Sequence, residues 1–225
     1  MAKIIIIGGG ETAELAYEYL THDSPHDVVA FSVEREFASQ SSLFDLPVVP
    51  FEEVERLYSP SDHLALAAIS STKLNRVRTR LYREGKRKGY GFISYVSSRA
   101  FVWRNVSVGE NCFILENNVL QYSVRVGNNV VLWSGNHIGH QTTIHDNVFV
   151  TSHVVVSGFC EIGENSFLGV NSCVKDNTTI APDCVIGMGA VIHKNTEARK
   201  VYAGNPGKPL LQDSFASFGV EDEPA

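Results

Sequence analysis

The chain has 225 residues, 44% of them hydrophobic and 20% charged, enough for one large or two small globular domains. A formal net charge of −6 argues against a nucleic acid as the main partner. The opening apolar run Ile4–Ile7 is too short for a secretory signal or a membrane helix, so a cytoplasmic protein without membrane insertion is expected. The cysteines at 112, 160, 173 and 184 have no CxxC spacing and read as reduced packing residues.

In chain order, Lys3 to Ile7 reads as a buried strand. Gly8-Gly9-Gly10 then opens a helix from about Glu11 to Thr21, with Ala13, Leu15, Ala16, Tyr19 and Leu20 on its apolar face. A second strand is expected over Val28–Ser32, a short third at Val48–Val49, and a short helix over Phe51–Leu57. Another strand lies within His63–Ser70, then a basic amphipathic helix over Lys73–Lys86 and a last strand starting at Gly91-Phe92-Ile93. Strand alternating with helix implies a parallel sheet, here a small Rossmann-like α/β domain over residues 1–96, joined near Ser97 without a linker.

From Val102 to Ile192 every sixth residue is Val, Ile or Leu, sixteen in succession. That period is neither helical nor the two-residue alternation of a sandwich strand; it predicts a parallel β-helix over residues 97–203. Three repeats close one coil of eighteen residues, giving about five coils, with each aliphatic side chain stacked inward on the one eighteen residues later. Small or compact residues precede the aliphatic position by two, among them Cys112, Asn118, Thr142, Cys160 and Cys184. Glycine follows it at 109, 127, 139, 163, 169 and 187, which suits a turn needing positive φ or close backbone approach. Beyond the array, residues 204–225 form an exit and tail. The prolines of Gly204-Asn205-Pro206-Gly207-Lys208-Pro209-Leu210 are expected to block regular structure, and Gln212 to Ala225 to fray.

Two places carry chemistry. Gly8, Gly10 and Ala13 match G-x-G-x-x-A between a strand and a helix, where a ligand phosphate can approach backbone N–H groups. The candidate ligands are a nucleotide diphospho-sugar or sugar phosphate and NAD, for whose ribose only Glu34 offers an acid; a purely structural turn is the alternative. Glu11, Ser32, Ser70 and Lys73 are candidate substrate contacts in the same domain, and His137 in the array. The second place is His140, two residues past an inward isoleucine and so facing outward, where an imidazole can act as general base. Gly158, eighteen residues on, would offer an unshielded N–H to an oxyanion. Surface histidines without a role are the alternative for His140, His137 and His153. A three-histidine metal site including His140 and His145 would need its third ligand at position 104, which is Arg104, so no metal is expected.

The G-x-G opening, the repeat array and the Gly204–Pro209 exit together resemble bacterial sugar acyltransferases of the left-handed β-helix superfamily. The nearest group is the sialic-acid O-acetyltransferase-like and bacillosamine/perosamine N-acetyltransferase-like enzymes. The resemblance implies a left-handed coil, a homotrimer, a nucleotide-sugar or sugar substrate held by the N-terminal domain, and acetyl-CoA along the groove between neighbouring β-helices. It places the catalytic base at His140 of His140-Gln141-Thr142-Thr143-Ile144-His145-Asp146 and the oxyanion donor at Gly158. Gln141 stands where relatives carry the acidic residue that orients the histidine; glutamine can accept the imidazole N–H but adds no charge. The resemblance further implies that Phe149 meets the thioester end of acetyl-CoA and that Asn205, Pro206 and Lys208 lie near its phosphates. The activity it implies is acetyl-CoA-dependent N-acetylation of an amino sugar for bacterial surface polysaccharide. O-acetylation of a sialic-type sugar, and a non-catalytic β-helix binding module, stay open.

Overall fold

The computed structural model describes residues 1–221. The chain opens with β1 (Lys3–Ile7), α1 (Glu11–Asp23), β2 (Asp27–Val33), β3 (Ser42–Leu43), β4 (Leu46–Pro50), α2 (Val54–Leu57), β5 (His63–Ala67), α3 (Arg76–Arg87) and β6 (Gly91–Phe92). These strands form one sheet in the order β3-β4-β2-β1-β5-β6, parallel except for the β3–β4 hairpin. The isoleucines of β1 are all buried because both faces of the sheet are covered. Ile4 and Ile6 pack with Ala13, Ala16 and Leu20 of α1, and Ile5 and Ile7 with Leu81 of α3.

One element boundary differs from expectation. The basic helix starts at Arg76, not Lys73, because Lys73, Leu74 and Asn75 form a left-handed turn with φ of 49°, 47° and 67°. The strand expected within His63–Ser70 runs over His63–Ala67.

The six-residue period is a parallel β-helix. Sixteen two-residue strands follow one another every six residues, from Phe101–Val102 to Val191–Ile192, and each pairs in parallel with the strand eighteen residues away. The array begins one strand before the expected start at 97: β7 (Tyr95–Val96) already pairs with Phe113–Ile114. Inside, Ile114, Leu132, Val150, Leu168 and Ile186 make one fully buried column, and the other two faces supply equivalent ones. Each such side chain contributes about 1.5–3 kcal/mol by leaving water. Polar inward residues survive because they bond the corner backbone: Thr142 Oγ1 donates to Ser157 O (2.9 Å) and accepts from Cys160 N–H (3.2 Å). The cysteines are free, and burial pushes the Cys112 thiol up to about 11, so it is a packing group rather than a nucleophile.

The left-handed residue of each corner is not the glycine after the aliphatic position. It lies two further on, at positions such as Asn111, Asn117, Asn129, Asn147, Asn165, Asn171 and Asn177. Asparagine tolerates that conformation at small cost. The glycine after the aliphatic residue is there for close approach: a Cβ on Gly139 would stand 2.5 Å from Gly158 N, and one on Gly163 2.5 Å from Pro182 N.

The outward positions give the prism three unlike faces. Tyr95, Phe113, Val131, Phe149, Phe167 and Val185 form an apolar face, and most of it is covered by the α/β part. Phe101, Val119, His137, Val155, Cys173 and Val191 form a second, largely apolar face that the α/β part leaves uncovered. Ser107, Arg125, Thr143, Glu161 and Thr179 form a polar third. Arg78 of α3 fixes the α/β part to the coil. Its buried guanidinium donates to Asn129 Oδ1 (3.1 Å), Asn129 O (3.1 Å) and Asn147 O (3.4 Å), and lies over the Phe149 ring. Among the described residues no acid pairs with it, and burial lowers its pKa to about 9.

The exit is more ordered than expected. β24 (Lys200–Ala203) and β25 (Lys208–Asp213) pair antiparallel, and Pro209 is tolerated because β25 is an edge strand. The tail does not fray at once: Asp213 caps α4 (Ser214–Phe218), whose Phe215 ring lies under the guanidinium groups of Arg76 and Arg199. Residues 222–225, the end of the tail expected to fray, lie outside the described residues. Among the described residues no helix is long and apolar enough to cross a membrane.

Candidate active site

Two places converge on chemistry. The first is a cavity of about 340 Å³ at the C-terminal ends of β1 and β2, lined by Gly8, Gly9, Gly10, Ser32, Val33, Glu34, Phe37, Gln40, Val48, Ile69, Val77 and Leu81 among others. No side chain caps α1, so its first N–H groups are left for a ligand. Ser32 is fully buried, and among the described residues its hydroxyl has no partner. Gly8 must be glycine: φ is +138°, and a Cβ would stand 2.6 Å from Ala68 O. The predicted Gly8, Gly10 and Ser32 are therefore brought together. Glu11, Ser70 and Lys73 are exposed and do not line the cavity; Ser70 Oγ is engaged with Thr72 Oγ1 at 2.8 Å. Glu34, the one acid available for a dinucleotide ribose, is held in a two-point ion pair by Arg80 (2.8 and 2.9 Å). Phe37, Gln40 and Val77 were not foreseen, because they reach the cavity from a loop and from α3.

The second place is the corner at His140. The residue is exposed, and its imidazole lies directly over Gly158 one coil on: a Cβ there would be 2.6 Å from His140 Cε1, 2.8 Å from Nε2 and 3.0 Å from Nδ1. Phe159 meets the ring edge-on with centroids 4.9 Å apart. Gly158 is buried beneath the imidazole, and among the described residues its N–H has no acceptor while its carbonyl accepts from Asn177 N–H (3.0 Å). Gln141 and Phe159, which directly follow His140 and Gly158, are left-handed (both φ 57°) where half of the left-handed corners carry asparagine. Such a conformation costs about 1–3 kcal/mol and tends to collect at functional sites.

Two expectations are corrected here. Gln141 does not orient His140. It occupies the left-handed corner and lines a shallow polar depression with Asn105, Ser107, Ser123 and Arg125. The acceptor beside His140 is Gln121 of the preceding coil, whose Oε1 is 3.0 Å from His140 N and 3.4 Å from Nδ1. Phe149 is not an outward contact for a cofactor: it is 5% exposed, stacked on Phe167 and covered by Arg78. His137 lies on the second, largely apolar face and does not line the Ser32 cavity. Asn205, Pro206 and Lys208 are exposed at the exit hairpin, where Gly207 N–H bonds Val191 O (2.7 Å). Val191 is three rungs along the same face from His137, about 14 Å at the usual strand spacing. Among the described residues no three His, Cys, Asp or Glu side chains are grouped so as to hold a metal ion.

Residues 123–158 and 159–194 each match the family described as bacterial transferase hexapeptide (six repeats). Together the two matches span residues 123–194, within the β-helix. No curated protein matches the chain. Among solved structures, the perosamine N-acetyltransferase of Caulobacter crescentus, as a histidine-to-asparagine variant in complex with CoA and GDP-perosamine, is 21% identical with a TM-score of 0.86, covering 94% of this chain and 98% of that one. The acetyltransferase domain of PglB from Neisseria gonorrhoeae is 22% identical with a TM-score of 0.81 over 93% of this chain and all of that one (100%). WeeI from Acinetobacter baumannii is 17% identical with a TM-score of 0.65 over 93% and 100%. At these identities the likeness establishes a common fold, and the hexapeptide array is its core.

Proposed function

We propose that this protein is an acetyl-CoA-dependent N-acetyltransferase acting on an amino sugar, nucleotide-linked, in bacterial surface polysaccharide synthesis. The observation that carries the reading is the His140 imidazole, exposed on a rigid corner, laid over Gly158 and held by an amide at Nδ1. Similar structures hold CoA and GDP-perosamine, or acetyl-CoA, on the same fold. In this reading the α/β part is a Rossmann-like domain over roughly the first 95 residues and the coil is left-handed. The Gly8–Gly10 turn and Ser32 bind the nucleotide end of the acceptor, with the α1 N-terminus facing its phosphates.

The acceptor amine attacks the thioester carbonyl of acetyl-CoA, the carbonyl π electrons move to oxygen, and the Gly158 N–H holds that oxyanion. His140 Nε2 takes the proton from the attacking nitrogen and passes it to the sulfur as the C–S bond breaks, releasing CoA thiol and the amide. No acyl-enzyme is needed. The uncovered apolar face carries the extended acyl donor from His140 toward Asn205, Pro206 and Lys208. It also supplies the surface for a homotrimer, since Phe101 (53%) and Val155 (43%) are exposed on it. A neutral amide beside His140, in place of a carboxylate, favours an amine over a hydroxyl acceptor, because a neutral amine needs less help from the base.

The test is CoA-thiol release from acetyl-CoA against nucleotide-linked 4-amino sugars and sialic-type acids. Turnover on an amino sugar is expected. Turnover on sialic-type acids alone would move the assignment to O-acetylation, and no release with no acetyl-CoA binding would leave a β-helix binding module. Sedimentation of wild type and Val155→Glu tests the trimer: a wild-type monomer would overturn it.

A further inference from the structure

We propose that Gln121 is the residue that sets the tautomer of His140, a positioning role taken from the preceding coil rather than from the sequence neighbour. The inference rests on His140 being the base of the proposed reaction. His140 N–H donates to Gln121 Oε1 at 3.0 Å, so the oxygen and not the amide nitrogen faces His140. Nδ1 stands 3.4 Å from that same oxygen. An acceptor opposite Nδ1 favours the ring with hydrogen on Nδ1 and a lone pair on Nε2. Nε2 stands 2.8 Å from where a Gly158 Cβ would be, so the nitrogen left free to take a proton is close to the glycine proposed as oxyanion donor.

Three other features make the arrangement specific. Gln121 N–H donates to Ile138 O (3.0 Å), which fixes the backbone from which the amide reaches. The Phe159 ring blocks rotation of the imidazole toward the next corner. Gln141, the neighbour in sequence, is turned into the left-handed corner with its N–H on Tyr122 O (2.8 Å). One oxygen thus serves both the backbone and the ring of His140. A free imidazole in water favours the opposite tautomer, so removing the oxygen has a visible consequence.

The experiment uses full-length protein labelled with ¹⁵N-histidine, with His140→Ala to identify the His140 signals. At a pH where the ring is neutral, wild type is expected to show a protonated Nδ1 and an unprotonated Nε2. Gln121→Ala is expected to shift the signals toward protonated Nε2 and to lower kcat about tenfold, the worth of one neutral hydrogen bond. KM for both substrates is expected to stay within about twofold, as for an interaction made with the base and not with the ground-state ligands. Gln121→Glu, which restores an acceptor oxygen, is expected to restore the wild-type tautomer. Wild-type His140 protonated on Nε2, or a tautomer unmoved in Gln121→Ala, would overturn the proposal. The spectrum needs no substrate: if no acceptor turns over, the acetyltransferase reading fails while the tautomer still decides the role of Gln121.

Discussion

Two histidines of the array lie over glycines, and comparing them isolates what sets apart the one proposed as the base. His153 covers Gly135 of the coil before it, where a Cβ would be 2.6 Å from His153 Nδ1, just as His140 covers Gly158 of the coil after it. Both rings are exposed. The difference is in what surrounds them. His153 is itself the left-handed corner residue (φ 58°), and among the described residues neither of its ring nitrogens has a hydrogen-bond partner. His140 precedes the corner, keeps an ordinary backbone, and is gripped by Gln121 and Phe159. A histidine on a glycine is thus a product of the repeat; the acceptor and the ring wall are what orient it.

The largest effect that separates the pair is loss of the ring. His140→Ala is expected to lower turnover at least about 100-fold, the low end for a general base. His153→Ala should leave steady-state rates within about twofold, and equal losses would erase the distinction. Next come the glycines. Gly158→Ala forces the imidazole of His140 aside, since the new methyl meets three of its ring atoms within 3.0 Å, and a displacement of that size costs roughly 10- to 100-fold in kcat. The ring can swing toward solvent, so the melting temperature should barely move. Gly135→Ala has the reverse signature: φ is +80°, so about 1–2 kcal/mol of stability is lost in denaturant unfolding while kcat holds. The smallest and most telling effect is at the strained corners. Phe159→Asn is expected to raise stability by up to about 1 kcal/mol while lowering kcat several-fold; His153→Asn should give the same stability gain with no kinetic change.

The inward residues were fully legible in the sequence, because Val102 to Ile192 repeat against one geometric constraint, the closure of a coil. The outward residues were not. Phe149 and Val155 are both apolar outward positions six residues apart, yet one is buried under Arg78 and the other bare. Nothing local distinguishes them; only the docking of the α/β part does. Position in the register placed His140 on an exposed corner and Gly158 beneath it, whereas its orienting partner stayed open between the adjacent Gln141 and a carboxylate from elsewhere. Gln121 is nineteen residues away in the chain and a neighbour only through the coil. The tail was misjudged for a related reason: α4 is too short to declare itself by periodicity, and it is held by cation–ring contacts with Arg76 and Arg199.

The grip of Arg78 reaches beyond stability. Asn129 and Asn147, whose carbonyls it holds, bracket the single coil that carries His140. Their side chains continue as a ladder, Asn111 to Asn129 to Asn147 to Glu164, that ties neighbouring coils in register. The distance from the Ser32 cavity to the imidazole is therefore a fixed gauge, independent of how long the prism grows. Eighteen residues added beyond Asn165 would lengthen the path to the exit hairpin and leave that gauge untouched. A single residue added between Asn129 and His140 would shift His140 off its corner while the cavity stayed where it is.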